Sequence, residues 1–326
     1  MTDIATNPAA PLLVVMMPAL NEQATVADVI GRVPRTLPGV GSVRVLVIDD
    51  GSTDRTVELA QAAGAEVVSH GLRQGVGAAF QTGLSRALAM GADFVVNIDA
   101  DGQFDPATIA QLIAPVVGGQ ADFTTASRFA DPELEPEMPR VKRWGNRMMS
   151  RLISRLIGQK FHDVSCGMRC YSRRAAMSLN PIGDFTYTQE VFLNLAYKRM
   201  RMVEVPIAVR GQREHGKSRV ASNLWSYAWK TLGIIFRCYR DYKPMRFFGR
   251  LAAVLMTLAV GLEGFFFWHY LATGRFRGQL WAGLSGAALL ALGLLFLITG
   301  LIGDMLNRHR LYLEEVLYHL RNQRKE

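Results

Sequence analysis

The stretch LWAGLSGAALLALGLLFLITGLIG, residues 280–303, contains no charged side chain. At about 1.5 Å of rise per residue, a helix of these 24 residues spans a ~30 Å hydrocarbon core. A second apolar run, LAAVLMTLAVGLEGFFFWHYLA (251–272), carries one acid, Glu263. The connector between them, TGRFRGQ, is short, so the two are predicted to form a helical hairpin whose ends return to one side. Burial as core helices of a soluble protein is the competing account, and charge-free runs of this length argue against it. Orientation follows the basic residues near the ends. Arg237, Arg240, Lys243, Arg246, Arg250, Arg308 and Arg310 flank the domain side, whereas the turn holds Arg275 and Arg277. The expectation is a multi-pass protein of the inner (cytoplasmic) membrane, with the rest of the chain on the cytoplasmic face.

Ahead of that hairpin, up to about Phe236, the 326-residue chain reads as a soluble α/β domain. Short apolar runs, LLVVMM (12–17), VRVLVI (43–48), EVV (66–68), DFVVNI (93–98) and ADFTTAS (121–127), alternate with helical stretches. Among the latter are STDRTVELAQAAG, GVGAAFQTGLSRALAMG and PATIAQLIAPVV, and Pro18 with Asn21-Glu22 is expected to open a helix after the first strand. Such alternation predicts a doubly wound, mostly parallel sheet. Ligands then bind beyond the C-terminal strand ends, where the polar clusters Asn21-Glu22, Asp49-Asp50 and Asp99-Asp101 fall. Residues 1–11 have no basic start and no apolar core, which excludes a secretory signal and predicts a short disordered tail. Three cysteines are too few and too irregular for a disulfide framework, so Cys166 and Cys170 read as buried thiols of a reducing compartment.

The fourth strand ends oddly. VVNIDADGQF runs from buried-strand residues into Asp99, Ala100, Asp101, Gly102. In extended chain, residues two apart point the same way, so the two carboxylates are expected to converge beyond the sheet. Unpaired they would repel. A divalent cation resolves this, since Mg²⁺ takes one or two carboxylates together with substrate phosphates. By itself Asp-x-Asp is a weak motif, and surface turns supply most instances.

MMPALNEQATV, VIDDGSTDRT, QGVGAAFQTGL and IDADGQFDP stand in the order and spacing of family 2 glycosyltransferases with the GT-A fold. With ASRF, DVSCGMRCYSR, REHGKSR and a two-span hairpin downstream, the chain resembles the polyprenyl-phosphate sugar transferases, the dolichol-phosphate mannose synthase-like group and its bacterial relatives. The resemblance implies a GT-A (Rossmann-like, mostly parallel sheet) catalytic domain at 12–223 and an interfacial helix at 224–245. It further implies a transmembrane hairpin at 246–303, with spans of about 250–272 and 280–303, and an amphipathic cytoplasmic tail at 304–326. It implies that Pro18, Ala19, Asn21 and Glu22 line the nucleoside pocket and that Asp50 contacts base or ribose. Asp99, Ala100, Asp101 and Gln103 would hold the donor diphosphate, with Asp99, Asp101 and Gln103 on a Mg²⁺ or Mn²⁺ ion. Arg128 is similar to an acceptor-phosphate contact, and Arg213 and Lys217 to a phosphate clamp on the donor. Bland alternatives stay open: Asn21 and Glu22 as helix caps, Asp49 beside a cation, Arg128 in a structural ion pair, and GQREHGKS as a basic surface loop. Glu190 sits where relatives carry an acidic base, and both an acceptor-positioning and a structural role remain open for it.

The implied reaction is an inverting, in-line transfer from a UDP- or GDP-hexose to a polyprenyl (undecaprenyl or dolichyl) phosphate. A lipid phosphate is already anionic, so no strong base is needed; the site must instead hold two anions together. GVGAAF lacks the Gly-Lys-Ser/Thr of a phosphate loop, which favours helix packing for its glycines. Two further stretches are expected at the bilayer interface. In KRWGNRMMSRLISRLIG, Arg143, Arg147, Arg151 and Arg155 recur every four residues beside stripes through Trp144, Met148, Leu152, Leu156 and Met149, Ile153, Ile157. The alternative is a core-facing helix with a solvated arginine face. LWSYAWKTLGIIFRCYRDYK (224–243) is the other. Competing functions are a processive polysaccharide synthase, a transferase acting on a lipid-linked oligosaccharide and a catalytically inactive membrane scaffold. Despite the net charge of +9, no nucleic-acid partner is expected, because the bases gather beside the apolar runs. The expected partners are a nucleotide sugar, a polyprenyl phosphate, the membrane and, as a candidate, a second copy of the chain.

Overall fold

The five apolar runs become strands of one seven-stranded sheet in a computed structural model that describes residues 10–180, 187–210 and 224–323. In chain order the strands are β1 (Leu12–Ala19), β2 (Ser42–Asp49), β3 (Glu66–Ser69), β4 (Phe94–Asn97), β5 (Phe123–Ser127), β6 (Arg169–Ser172) and β7 (Met202–Pro206). The helices are α1 (Val26–Gly31), α2 (Thr56–Ala62), α3 (Val76–Ala89), α4 (Ile109–Val117), α5 (Arg140–Ile157), α6 (Arg173–Ser178), α7 (Thr188–Tyr197), α8 (Leu224–Tyr242), α9 (Pro244–Thr273) and α10 (Leu280–Gln323).

The spatial order is β3-β2-β1-β4-β6-β5-β7. β6 alone runs antiparallel to both its neighbours, β4 and β5. β1, where Leu13 through Met17 are fully buried, is covered on both faces, which is why it reads as an unbroken apolar run rather than an alternating one. Each such side chain contributes roughly 1.5–3 kcal/mol by leaving water. Gly83 lets α3 lie flat on the sheet: a Cβ there would stand 2.7 Å from Ile48 Cδ1. The chain steps from β1 outward to β2 and β3, then returns to place β4 on the other side of β1. That reversal makes the C-terminal ends of β1 and β4 the topological switch point, the place where such sheets bind ligands.

Local readings change in three places. α1 starts only at Val26 with Thr25 as its N-cap residue, and the Glu22 carbonyl accepts from Thr25 N–H at 3.1 Å and Val26 N–H at 2.9 Å ahead of it. The segment expected as a separate tail helix continues α10 without a break. On α5, Ile153 and Ser150 are buried while Val141, Trp144 and Met148 are exposed, so the helix packs along one side and presents apolar side chains on another.

The chain divides into two compact units, residues 1–234 with 318–326, and residues 235–317. The first contains the sheet. Within it Arg321, on the last turns of α10, donates to the carbonyls of Met177 (2.7 Å) and Leu179 (3.3 Å) at the end of α6. In the second unit α9 and the apolar part of α10 pair along a line of small residues. A Cβ on Gly293 would meet Met256 at 2.9 Å, one on Gly300 would meet Phe248 at 3.2 Å, and one on Gly303 would meet Pro244 at 2.8 Å. Backbones approach this closely where small residues line the contact. Both helices are long and apolar enough to cross a membrane.

Candidate active site at the C-terminal edge of the sheet

β1, β2, β3, β4, β5 and β7 are mutually parallel in direction, so their C-terminal ends share one edge, and β6 contributes its N-terminal end to the same edge. Pro18 and Ala19 close β1 in register with Ile48 and Asp49. Asn21 follows with a positive φ of 51°. Its N–H donates to Ser52 Oγ at 2.8 Å and its Oδ1 accepts from Thr53 N–H at 2.8 Å. Glu22 N–H donates to Thr56 Oγ1 at 2.8 Å. The β1 and β2 ends are thereby tied together at this edge.

Asp49 and Asp50 are both buried. Burial pushes the Asp49 carboxyl up, but donation from Ser52 and Ser69 prevails and holds it below the usual carboxylate range. Hydroxyl and backbone donors, rather than a cation, satisfy it. Asp50 Oδ1 accepts from Gln74 N–H at 2.8 Å and lies 3.1 Å from His70 Nδ1; Oδ2 accepts from Gly75 N–H at 2.9 Å. The carboxylate therefore occupies the N-terminal end of α3, the position an external anion takes in a phosphate loop. His70 extends the chain to Thr82 Oγ1 at 2.9 Å. Asp50 thus fastens the 70–75 loop across the β2 end.

After β4 the chain turns. Gly102 has φ +74°, and Asp101 Oδ1 accepts from Gln103 N–H at 3.0 Å. Asp99 and Asp101 lie at a turn rather than on extended chain, and this loop places both at the switch point. Ala100 is buried, and its carbonyl accepts from Thr25 Oγ1 at 2.7 Å, which anchors the turn to the start of α1. Gln103 pairs with the strand-like segment after β7: its carbonyl accepts from Arg210 N–H at 3.0 Å, and Phe104 bridges Val209. The segment that contains Arg213 and Lys217 leaves from this point; those two residues lie outside the described ones.

Arg128, at the end of β5, makes a bidentate ion pair with Asp163: Nε to Oδ2 at 2.6 Å and Nη2 to Oδ1 at 3.0 Å. Asp163 is fully buried, and its N–H and that of His162 donate to Glu204 on β7. Glu190 is buried on the first turn of α7. A residue missed in the sequence reaches the start of α7, at the Thr188 carbonyl. Arg169 is fully buried, donates to the carbonyls of Cys166, Val164 and Thr188, and lies 5.0 Å from the Phe192 ring. Its motif, DVSCGMR, marked the segment without assigning it a place. Cys166 and Cys170 are buried free thiols, and burial pushes Cys166 up to about 12.

Among the described residues no group of three or more His, Cys, Asp and Glu side chains forms a metal cage. The donor set at the turn, two carboxylates with a neighbouring amide, fits an ion that completes its shell with substrate phosphates, as Mg²⁺ does.

The Glycosyl transferase family 2 model matches residues 14–179. Glycosyltransferase AglJ of Haloferax volcanii is 29% identical over 310 residues, covering 93% of this chain and 96% of that protein. The UDP-N-acetylglucosamine–dolichyl-phosphate N-acetylglucosaminyltransferase of Methanococcus voltae is 27% identical, covering 60% of this chain and 84% of its own length. Among solved structures, glucosyl-3-phosphoglycerate synthase of Mycobacterium tuberculosis with Mn²⁺, UDP-glucose and phosphoglyceric acid superposes with a TM-score of 0.55 at 25% identity, covering 71% of this chain and 80% of that one.

Proposed function

From the premise that the chain belongs to glycosyl transferase family 2, we propose that it moves a hexosyl group from a nucleotide-diphosphate sugar to a polyprenyl phosphate at a membrane surface. The observation that carries this reading is one chain holding an Asp99–Gln103 turn at the sheet's switch point and two helices apolar enough to span a bilayer. The Methanococcus relative, whose name pairs a UDP-sugar with dolichyl phosphate, supports the substrate classes. The mycobacterial structure, with its Mn²⁺ and UDP-glucose, supports the metal.

On this reading the switch point at the β1 and β4 ends takes the nucleoside. Pro18, Ala19, Asn21 and Glu22 form one wall, and Asp50 acts through the 70–75 loop that it fastens. Asp99, Asp101 and Gln103 would hold a divalent ion such as Mg²⁺ or Mn²⁺, which neutralises charge on a diphosphate leaving group. The acceptor phosphate oxygen forms the new bond to the anomeric carbon as the bond to the β-phosphate oxygen breaks, and that electron pair leaves with the nucleoside diphosphate. Configuration inverts. No proton has to be removed, because the acceptor is an anion near neutral pH, so Glu190 needs no role as a base. Arg213 with Lys217 supply the positive charge that holds two anions in line, and Arg128, its charge balanced by Asp163, contributes hydrogen-bond donors in a fixed orientation. The hairpin would keep the domain at the cytoplasmic face of the membrane, and the exposed Trp144–Met148 side of α5 would rest on it.

The test is to incubate membranes bearing the protein with undecaprenyl or dolichyl phosphate and a panel of UDP- and GDP-sugars, and to identify the lipid product by mass. A glycosyl phosphoryl lipid that disappears with EDTA is expected. Sugar transfer only to a lipid-linked oligosaccharide, or turnover indifferent to chelation, would overturn the assignment of acceptor or of metal respectively.

A further inference from the structure

Asn97, the last residue of β4, is fully buried. A buried amide costs free energy unless it is hydrogen-bonded, so its contacts identify its task. One nitrogen, Nδ2, donates both its protons: to the Gly167 carbonyl at 2.8 Å and to the Tyr187 hydroxyl at 2.8 Å. Tyr187 is held in turn by its ring, which stacks on Phe80 with centroids 4.0 Å apart and planes 6° from parallel. Burial, and then the neighbouring charge of Asp99, push its phenol well above the ordinary value, so it is a neutral hydroxyl at physiological pH.

Gly167, just before β6, does not have a positive φ, so backbone conformation is no reason for a glycine there. Space is. A Cβ at Gly167 would stand 2.9 Å from Asp99 Oδ2 and 3.3 Å from Oδ1. Both oxygens of the carboxylate therefore lie over a bare α-carbon whose carbonyl is clamped from β4.

We propose that Gly167, held in place by Asn97, is a positioning residue that seats the Asp99 carboxylate for the metal–diphosphate site. The proposal rests on the reading of Asp99 given above. It accounts for two residue types at once. An added methyl group would displace the carboxylate, which is the end of a short side chain and yields more readily than backbone. A carboxylate in place of the Asn97 amide would offer the Gly167 carbonyl no proton. Residues that orient metal ligands typically cost about 10–100-fold in metal affinity when altered.

The experiment uses the full chain in detergent, with Mn²⁺ titrated by electron paramagnetic resonance in the presence of UDP and, separately, of GDP. Gly167→Ala and Asn97→Ala are compared with Asp99→Asn and with the unaltered protein. Gly167→Ala is expected to melt within a few degrees of the parent and to bind Mn²⁺ about 10–100-fold more weakly, with a smaller weakening for Asn97→Ala. Wild-type Mn²⁺ affinity in Gly167→Ala, beside a loss in Asp99→Asn, would overturn the inference and leave the reading of Asp99 standing. Unaltered affinity in Asp99→Asn, or no Mn²⁺ binding by the parent, would overturn both. Unfolding of Gly167→Ala would also count against the proposal, because it makes the Asp99 side chain the part that gives way.

Discussion

Asp101 is buried at a turn whose geometry depends on it, since its carboxylate accepts from Gln103 N–H. Asp101→Asn keeps a side-chain acceptor for that N–H, so the fold should persist. Loss of a carboxylate from a metal–diphosphate site costs several kcal/mol, and transfer is expected to fall about a thousandfold. Steady-state rates beside an unchanged melting curve are the check. Asp49 answers to pH instead. Its folded pKa lies below the unfolded value of about 3.9, so its contribution is present above that value and is lost as pH falls through the folded pKa. Asp49→Asn should therefore lower the urea midpoint at pH 6, and the difference should shrink below pH 4. The thiols are a third case. With Cys166 and Cys170 buried and Cys166 pushed up to about 12, a disulfide reagent at pH 8 should label native protein at Cys238 alone, and all three cysteines only after denaturation.

Among the elements, α5 joins one buried side to one exposed side. Arg143 and Arg147 reach Glu135, at 2.9 and 3.5 Å, while Arg151 and Arg155 are exposed along the same side as Trp144 and Met148. Basic residues near an anionic surface are worth about 1 kcal/mol each. Replacing Arg151 and Arg155 with Gln should weaken co-sedimentation with anionic vesicles; no change would confine α5 to a packing role. The α9–α10 pair depends on its glycines in another way. Gly293→Val places methyl groups against Met256, and overpacking of this kind costs about 1–3 kcal/mol. A lower melting temperature in detergent and faster proteolysis at the 274–279 connector are expected.

On the scale of the molecule, the C-terminal residues 318–326 belong to the unit that holds the sheet, although the apolar part of α10 belongs to the other. Arg321 donates to two carbonyls at the end of α6. The alternation of strands and helices, the two long apolar runs and the three polar strand ends were all legible in the chain, because each is a local pattern of apolar and polar residues. The polar strand ends fall together at one edge, since parallel strands bring their C-termini there whatever their order. Nothing local announced β6, a short strand inserted antiparallel between β4 and β5, because its pairs join residues such as Asn97 with Arg169 and Thr125 with Arg169, far apart in the chain, and parallel sheets ordinarily need a crossover instead. Arg128 could be read as a phosphate contact or as an ion pair from its motif alone; the bidentate pair with Asp163, 35 residues away, exists only after folding. The same holds for the buried Arg169, which a core accepts because three carbonyls and an aromatic ring surround it, and for Gly167 beneath Asp99. Sequence by itself determined which residues carry charge and which segments are apolar enough to become strand or span. Tertiary structure decided which charges meet, because a carboxylate's partners are set by distances of a few ångströms between segments that covalent order leaves far apart.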